Sequence, residues 1–282
     1  MLKKITVTFA LAILFVAMSV SQVSAKNAAT VDGYEIPVDI KVNGVYLGEG
    51  MKGYLENDTV YVPLISVSRA LGANVMKDSF FKRTSISGNG RCLVLFDDKP
   101  YNLLNGTFTF FKPLSEDGTL YVTARFIADM FGASISWDSY RYEVNLTLDG
   151  YTVPKEYVET RYNDEDLLWL SRIVYCEAGS VSIDAKIMVA NVILNRRESP
   201  QFPNTIREVI CDTRFGIQFP PSQSDIIYRT ANTHTILACK VALNGVMLVP
   251  DCKYFSYTSD NFSWVYENCT LYTTIGNQAF YK

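Results

Sequence analysis

The strongest constraint on this chain is an internal repeat. Residues 58–79, DTVYVPLISVSRALGANVMKDS, match residues 118–139, GTLYVTARFIADMFGASISWDS, at an offset of 60. Thr59/Thr119, Tyr61/Tyr121, Val62/Val122, Gly72/Gly132, Ala73/Ala133, Asp78/Asp138 and Ser79/Ser139 are identical. Each copy reads as a short strand, a helix closed by glycine, then a strand. The apolar stripes Leu64–Val67–Leu71 and Phe126–Ile127–Met130–Phe131 have helical spacing. Alternating residues such as Tyr142, Val144 and Leu146 read as flanking strand. One copy alone cannot bury its apolar face, so the two must pack together. The repeat therefore predicts an α/β unit over residues 33–148, followed by something different.

That something is helical. Residues 149–163, GYTVPKEYVETRYND, are polar, lack an apolar period and read as a linker. A helix is predicted from Asn163 or Asp164, whose acidic first turn suits the helix dipole, to Gly179. Ser182 caps a second helix bearing Ile183, Ile187, Ala190 and Leu194 on one face. Ser199 to Ile210 reads as a proline-punctuated turn into a short helix, and a further helix runs over 233–243 and stops at Asn244-Gly245. The tail, from Lys253 to Tyr281, alternates and is rich in tyrosine. The fold class expected is α+β: an N-terminal α/β unit of two repeats, then a mainly helical domain over 164–282 with a small β-region.

Composition narrows the chemistry. A single histidine, His234, leaves no multi-histidine zinc site. With 26 basic and 29 acidic residues there is no chain-wide basic footprint for nucleic acid. Carboxylates, hydroxyls and thiols remain, and no cofactor is called for. Lys3 and Lys4 precede an uncharged run to Ala25, and Val23-Ser24-Ala25 has small residues where a signal peptidase cuts. Residues 1–25 thus read as a secretory signal peptide, against an uncleaved membrane anchor as the competing reading. Six cysteines follow, with no CxxC pair. Cys252 and Cys269 flank a segment that reads as a hairpin and are the first pair to test, although spacing does not give connectivity.

In the first predicted helix Leu170, Ile173, Val174 and Glu177 follow i, i+3, i+4, i+7 spacing. Glu177 therefore continues the stripe that faces the core. Desolvation there raises a carboxyl pKa and suits it to general acid work; the bland alternative is a glutamate at a frayed end that reaches water. The loop Phe215–Pro221 and the tyrosine-rich tail bring amides and rings, which suit a glycan. Asn195, Gln218, Phe219, Tyr254 and Tyr257 are the candidate substrate contacts. Asn195 reads equally as a helix C-cap, and the tyrosines as half-buried strand residues.

Two resemblances sharpen these expectations. The doubled V-P-L…L-G-A…W-D pattern of residues 33–148, with Thr123-Ala124 replacing Pro-Leu in the second copy, resembles the stalk domain named after the N-terminus of copper amine oxidases. With no histidine and only Cys92 in this half, no copper site is expected. It reads as a wall-attachment unit or as a plain spacer. Residues 165–282 resemble the catalytic domain of SleB/CwlJ-type cell wall hydrolases, which include spore-cortex lytic enzymes. The shared pieces are Arg172-Ile-Val-Tyr-Cys-Glu-Ala178, Val192-Ile-Leu-Asn-Arg196, Phe202-Pro-Asn-Thr-Ile206, Gln218-Phe219, Ala242-Leu-Asn-Gly245, Tyr254-Phe255 and Ile275-Gly-Asn with Phe280-Tyr281. The resemblance implies a fold similar to lysozyme and lytic transglycosylases, with Glu177 at the catalytic position. Val181 stands where the family has a second acid, Ala185 replaces a glycine, Gln278 replaces a histidine, and Cys176 a smaller residue.

The resemblance leads to the expectation of cleavage of the N-acetylmuramic acid–N-acetylglucosamine bond of peptidoglycan, and the signal peptide to a mature chain outside the cytoplasm, at the cell wall or spore envelope. Two routes stay open. A hydrolase needs a second carboxylate, for which Asp184, Glu198, Asp212 and Asp225 are candidates. A lytic transglycosylase uses Glu177 alone, first as acid and then as base, and is favoured. The rival classes are a Cys/His peptidase or amidase acting through His234, and a decayed wall-binding protein.

Overall fold

The computed structural model describes residues 27–260 and 263–282, so the expected signal peptide lies outside the described residues. Strands β1 (Thr30–Val31) and β2 (Tyr34–Glu35) form a small hairpin. Strands β3 (Asp39–Val42), β4 (Val45–Tyr46), β5 (Tyr54–Glu56) and β6 (Thr59–Pro63) lead into helix α1 (Leu64–Ala70). Then come β7 (Asn74–Asp78), β8 (Arg83–Gly88), β9 (Arg91–Phe96), β10 (Asn102–Leu104) and β11 (Thr107–Thr109). The half closes with β12 (Leu114–Glu116), β13 (Thr119–Thr123), α2 (Ala124–Phe131), β14 (Ser134–Asp138) and β15 (Glu143–Thr147).

The repeat is visible as local symmetry. β6 and β13 pair antiparallel with Val62 opposite Val122, the equivalent positions of the two copies. Their sheet runs β12-β13-β6-β5. After its helix each copy turns back through a glycine at positive φ, Gly72 at 82° and Gly132 at 70°. The copies then part. The first continues into a five-stranded sheet, β11-β10-β9-β8-β7, while the second joins β14-β15-β3-β4, with β15 and β3 parallel. Leu64, Val67 and Leu71 of one copy and Ile127, Met130 and Phe131 of the other are buried in one core, as mutual packing of half-apolar units requires. Phe126 is only partly buried and stacks on Phe111.

A second core belongs to the C-terminal half. Its elements are α3 (Asp164–Ala178), α4 (Ile183–Arg197), α5 (Ile206–Ile210), α6 (Thr233–Leu243), β16 (Tyr254–Tyr257), α7 (Trp264–Asn268), β17 (Leu271–Ile275) and β18 (Gln278–Tyr281). α4 and α6 are buried nearly all round, each enclosing a lysine, Lys186 and Lys240. β18 is the centre of the small sheet β16-β18-β17. No helix among the described residues is long and apolar enough to cross a membrane.

Three sequence expectations change. Residues 149–163 are no free linker: Val153 sits in the first core and Tyr162 in the second. Val158 bridges Leu47, and the Tyr151 hydroxyl donates to the Ala70 carbonyl at 2.7 Å. Aromatic and β-branched anchors without a period escape a periodicity search. Residues 253–268 are not a hairpin, because β16 pairs with the distant β18. All six cysteines are free thiols; Cys252 is buried and Cys269 half-buried. The N-terminal hairpin also packs outside its own half: Ile36 lies in the C-terminal core, and the Tyr34 hydroxyl donates to Asp184 at 2.8 Å.

Candidate active site

The site forms where α3 ends. Asn163 caps the helix, accepting from the amides of Glu165 and Asp166, and Asp166 accepts in return from the Asn163 amide. This capping box fixes the first turn. Leu170, Ile173 and Val174 are fully buried and set the helix rotation. One turn on, the same stripe brings Glu177 to the rim of the core, half-buried. The helix stops at Gly179, where a Cβ would lie 2.5 Å from the Tyr175 carbonyl oxygen. Glycine is thus required to leave the last turn carrying Glu177 undistorted.

Glu177 lines a cavity of about 310 Å³ with Gln218, Phe219, Tyr257, Asp260 and Gln278. Burial pushes its carboxyl above the usual carboxylate range. Gln278, on β18, donates from Nε2 to the Glu177 backbone carbonyl at 3.3 Å, tying the end of α3 to the sheet. Phe219 is buried, and its ring forms part of the cavity floor while packing 6.2 Å from Phe255. Tyr257 is exposed at the mouth.

A larger cavity, about 880 Å³, adjoins this one and shares Arg196, Gln218, Phe255 and Val265 with it. Tyr254 lines the larger space, not the one holding Glu177, beside Trp264 and Phe202. Gln218 faces both, with its amide donating to the Gly216 carbonyl at 3.1 Å. The pair makes a cleft with rings on its walls and an acid at one end.

Asn195 lies apart from both cavities. Its amide donates to the Val249 and Cys252 carbonyls, each at 2.9 Å, so it fastens α4 to the turn before β16. Asn191 does the same one turn earlier, donating to the Val246 carbonyl and accepting from the Leu248 amide. Asn195 is therefore corrected from substrate contact to structural staple: a helix-end amide facing unpaired turn carbonyls is used up by them.

Two cleft residues escaped the sequence reading. Arg196 is buried between the cavities, with its guanidinium about 5 Å from the rings of Phe202, Phe219 and Tyr254. Its Nε donates to the Lys253 carbonyl at 2.6 Å, and burial lowers its pKa to about 10. The signal was an arginine directly after a buried helix stripe. Asp260 is the other, in the loop after β16. Among the described residues it is the only other carboxylate lining the Glu177 cavity. The acids proposed from sequence are engaged elsewhere. Asp184 accepts from Tyr34, Glu198 pairs with Arg197 at 2.8 Å, and Asp212 pairs with Arg214 at 2.8 Å while lining the larger cavity. Asp225 opens the exposed turn Asp225–Tyr228. His234 faces Asp32 at 2.9 Å, not a cysteine. Val181 packs against the core.

Two families of known proteins match parts of the chain. Residues 181–281 match the family described as Cell Wall Hydrolase, a match that begins four residues after Glu177. The Copper amine oxidase N-terminal domain family matches residues 41–146 and again 103–197. The second span runs into α3 and α4, which belong to the other core. Two solved structures are similar. The catalytic domain of the Bacillus cereus SleB protein is 29% identical, over 48% of this chain and 100% of that one, with a TM-score of 0.40. The catalytic domain of the germination-specific lytic transglycosylase SleB from Bacillus anthracis is 28% identical, over 46% and 100%, also with a TM-score of 0.40. No curated protein matches the chain.

Proposed function

From a chain that carries a cell wall hydrolase domain of the SleB/CwlJ type, and so acts on peptidoglycan, we propose an exported enzyme that cuts the β-1,4 bond between N-acetylmuramic acid and N-acetylglucosamine. Glu177 is its catalytic group. Protonated in its desolvated position, it gives its proton to the leaving oxygen as positive charge develops on the sugar ring. The resulting carboxylate then takes the proton of the muramic acid 6-hydroxyl, whose oxygen closes on C1. The products are a 1,6-anhydro end and a free hydroxyl, and Glu177 regains its proton. Gln218, Phe219 and Tyr257 contact the sugars beside the bond, and Tyr254 contacts them further along the cleft.

The observation that carries this reading is Glu177 itself: a carboxylate on a helix end, raised by burial, in a cleft of rings and amides. Asp260 favours a second route, direct hydrolysis, since it shares the cavity and can activate water. The stalk unit, residues 33–148, keeps the catalytic unit, residues 164–282, at the cell wall or spore envelope, whether the substrate is cortex or vegetative wall.

Glu177→Gln tests the role of the acid. The amide has the same shape but no proton to give, so clearance of a peptidoglycan suspension should fall by about 10²–10⁴-fold with circular dichroism unchanged. Full activity in that variant would remove Glu177 from the mechanism.

A further inference from the structure

The five-stranded sheet of the stalk unit has one face in the core, through Thr84, Ile86, Leu93 and Leu95. The other face is open. Cross-strand register aligns Met76, Ser85, Val94, Leu103 and Phe108 in one row across all five strands. Met76 is 59% and Phe108 66% exposed, and the residues between them are half-exposed. A second row sets Arg83 opposite Phe96, with Tyr101 5.7 Å from Phe96 and 5.0 Å from Phe108. Phe81, 58% exposed in the turn before β8, extends the row, and the Arg83 guanidinium lies 5.0 Å over its ring.

Exposed rings gathered on one open sheet face mark a binding face. Its charge indicates the occupant. Lys82 in the turn before β8, Arg83 at the start of β8 and Lys99 after β9 lie beside these rings, whereas Lys77 is in register with core-facing Thr84 and Arg91 donates to the Asp129 carbonyl of α2. Some of these are paired: Arg83 with Asp78 at 3.4 Å and Lys82 with Asp98 at 3.6 Å. Lys99 is not. It lies 4.2 Å over Phe96 and 5.8 Å from the Tyr101 ring, with no carboxylate partner among the described residues. Rings stack on the apolar faces of sugars, and cations held on those rings meet carboxylates. A glycan strand bearing acidic peptides presents both groups.

We propose that this sheet face docks the glycan strands of peptidoglycan through Phe81, Phe96, Tyr101 and Phe108, with Lys99 meeting peptide carboxylates. It rests on peptidoglycan being the substrate, and it supplies a grip on the polymer outside the catalytic cleft.

The test is co-sedimentation of the full chain, carrying Glu177→Gln so that nothing is cut, with purified insoluble peptidoglycan. The double variant Phe81→Ser/Phe108→Ser should bind roughly tenfold more weakly with an unchanged melting temperature, because both side chains are exposed. Lys99→Glu should weaken binding roughly threefold at low salt and flatten its salt dependence. With Glu177 restored, the double variant should cleave soluble glycan fragments at the parent rate and insoluble sacculi more slowly. Equal binding by parent and double variant would overturn the proposal, as would a parent that does not sediment. A double variant that abolishes a concentration-dependent dimer while wall binding persists would also overturn it, since the face would then serve a second copy. If the parent cleaves no glycan yet sediments and the double variant does not, the docking face stands and the cleavage reading falls.

Discussion

At the scale of single residues, the proposed function turns on the environment of Glu177. Its raised carboxyl sets a pH signature. In the proposed mechanism activity needs the protonated form, so the rate should hold above the pH at which an ordinary glutamate, of pKa about 4.3, has ionised, and fall as pH rises through the raised value. A pH–rate profile on soluble glycan fragments measures this; an alkaline limb centred on the ordinary value would contradict it. The same shift is a stability statement. A carboxyl whose pKa is higher folded than unfolded contributes stability below its unfolded pKa, and loses it as pH rises through the folded one. Glu177→Gln should therefore melt higher than the parent at neutral pH, with the gap closing near pH 4. Much of the Glu177 cavity was legible in sequence: Glu177 from its place on the stripe, and Gln218, Phe219 and Tyr257 from composition and resemblance. Asn195 and Asp260 were not. The use of an amide or an acid in a loop depends on which distant backbone closes over it, and 54 residues separate Asn195 from Val249.

At the scale of elements, the repeat and the helices were the readable part, because period and caps are local. The pairing of Val62 with Val122 is the physical form of the offset of 60. What parts the two copies was unreadable. The first copy pairs onward with β9 to β11, the second with β3 from the start of the unit, and such long-range partners leave no local trace. The caps carry a measurable cost. Asn163→Ala breaks the capping box and should destabilise the chain by about 1 kcal/mol in chemical denaturation, with a smaller loss of activity. Destabilisation below a few tenths would mean the first turn of α3 is held by something else.

At the scale of the molecule, the two halves meet through buried charge rather than through a tether. Lys240 of α6 is fully buried. It donates to the Arg141 and Tyr142 carbonyls at 2.6 and 2.8 Å and pairs with Asp39 of β3 at 2.8 Å. Asp39 also takes Lys52 at 2.7 Å and the Tyr162 hydroxyl at 2.9 Å. Burial works against the Asp39 carboxylate, but Lys240 and Lys52 overcome it and hold its pKa below the ordinary value. Nearby, burial also opposes Glu159, yet Arg161 and Lys52 pull it down to about 2. Carboxyls lowered on folding contribute stability above their unfolded pKa, about 4, and lose it as pH falls through the folded value. The chain should therefore lose stability between about pH 4 and 2. Lys240→Met leaves the buried Asp39 with Lys52 as its one cation and should cost about 3 kcal/mol, read by denaturation at neutral pH. A variant as stable as the parent would show the pair to be replaceable. The sequence hinted at this junction, since Lys240 interrupts an otherwise apolar helix, but its partner lies 201 residues away.

The most direct measurement is mass spectrometry of the fragments released when the full chain digests purified peptidoglycan. Fragments ending in 1,6-anhydromuramic acid are expected, and they should vanish with Glu177→Gln. Reducing-end sugars would move the mechanism to hydrolysis with Asp260 as partner. Free stem peptides over intact glycan would contradict glycosidic cleavage altogether.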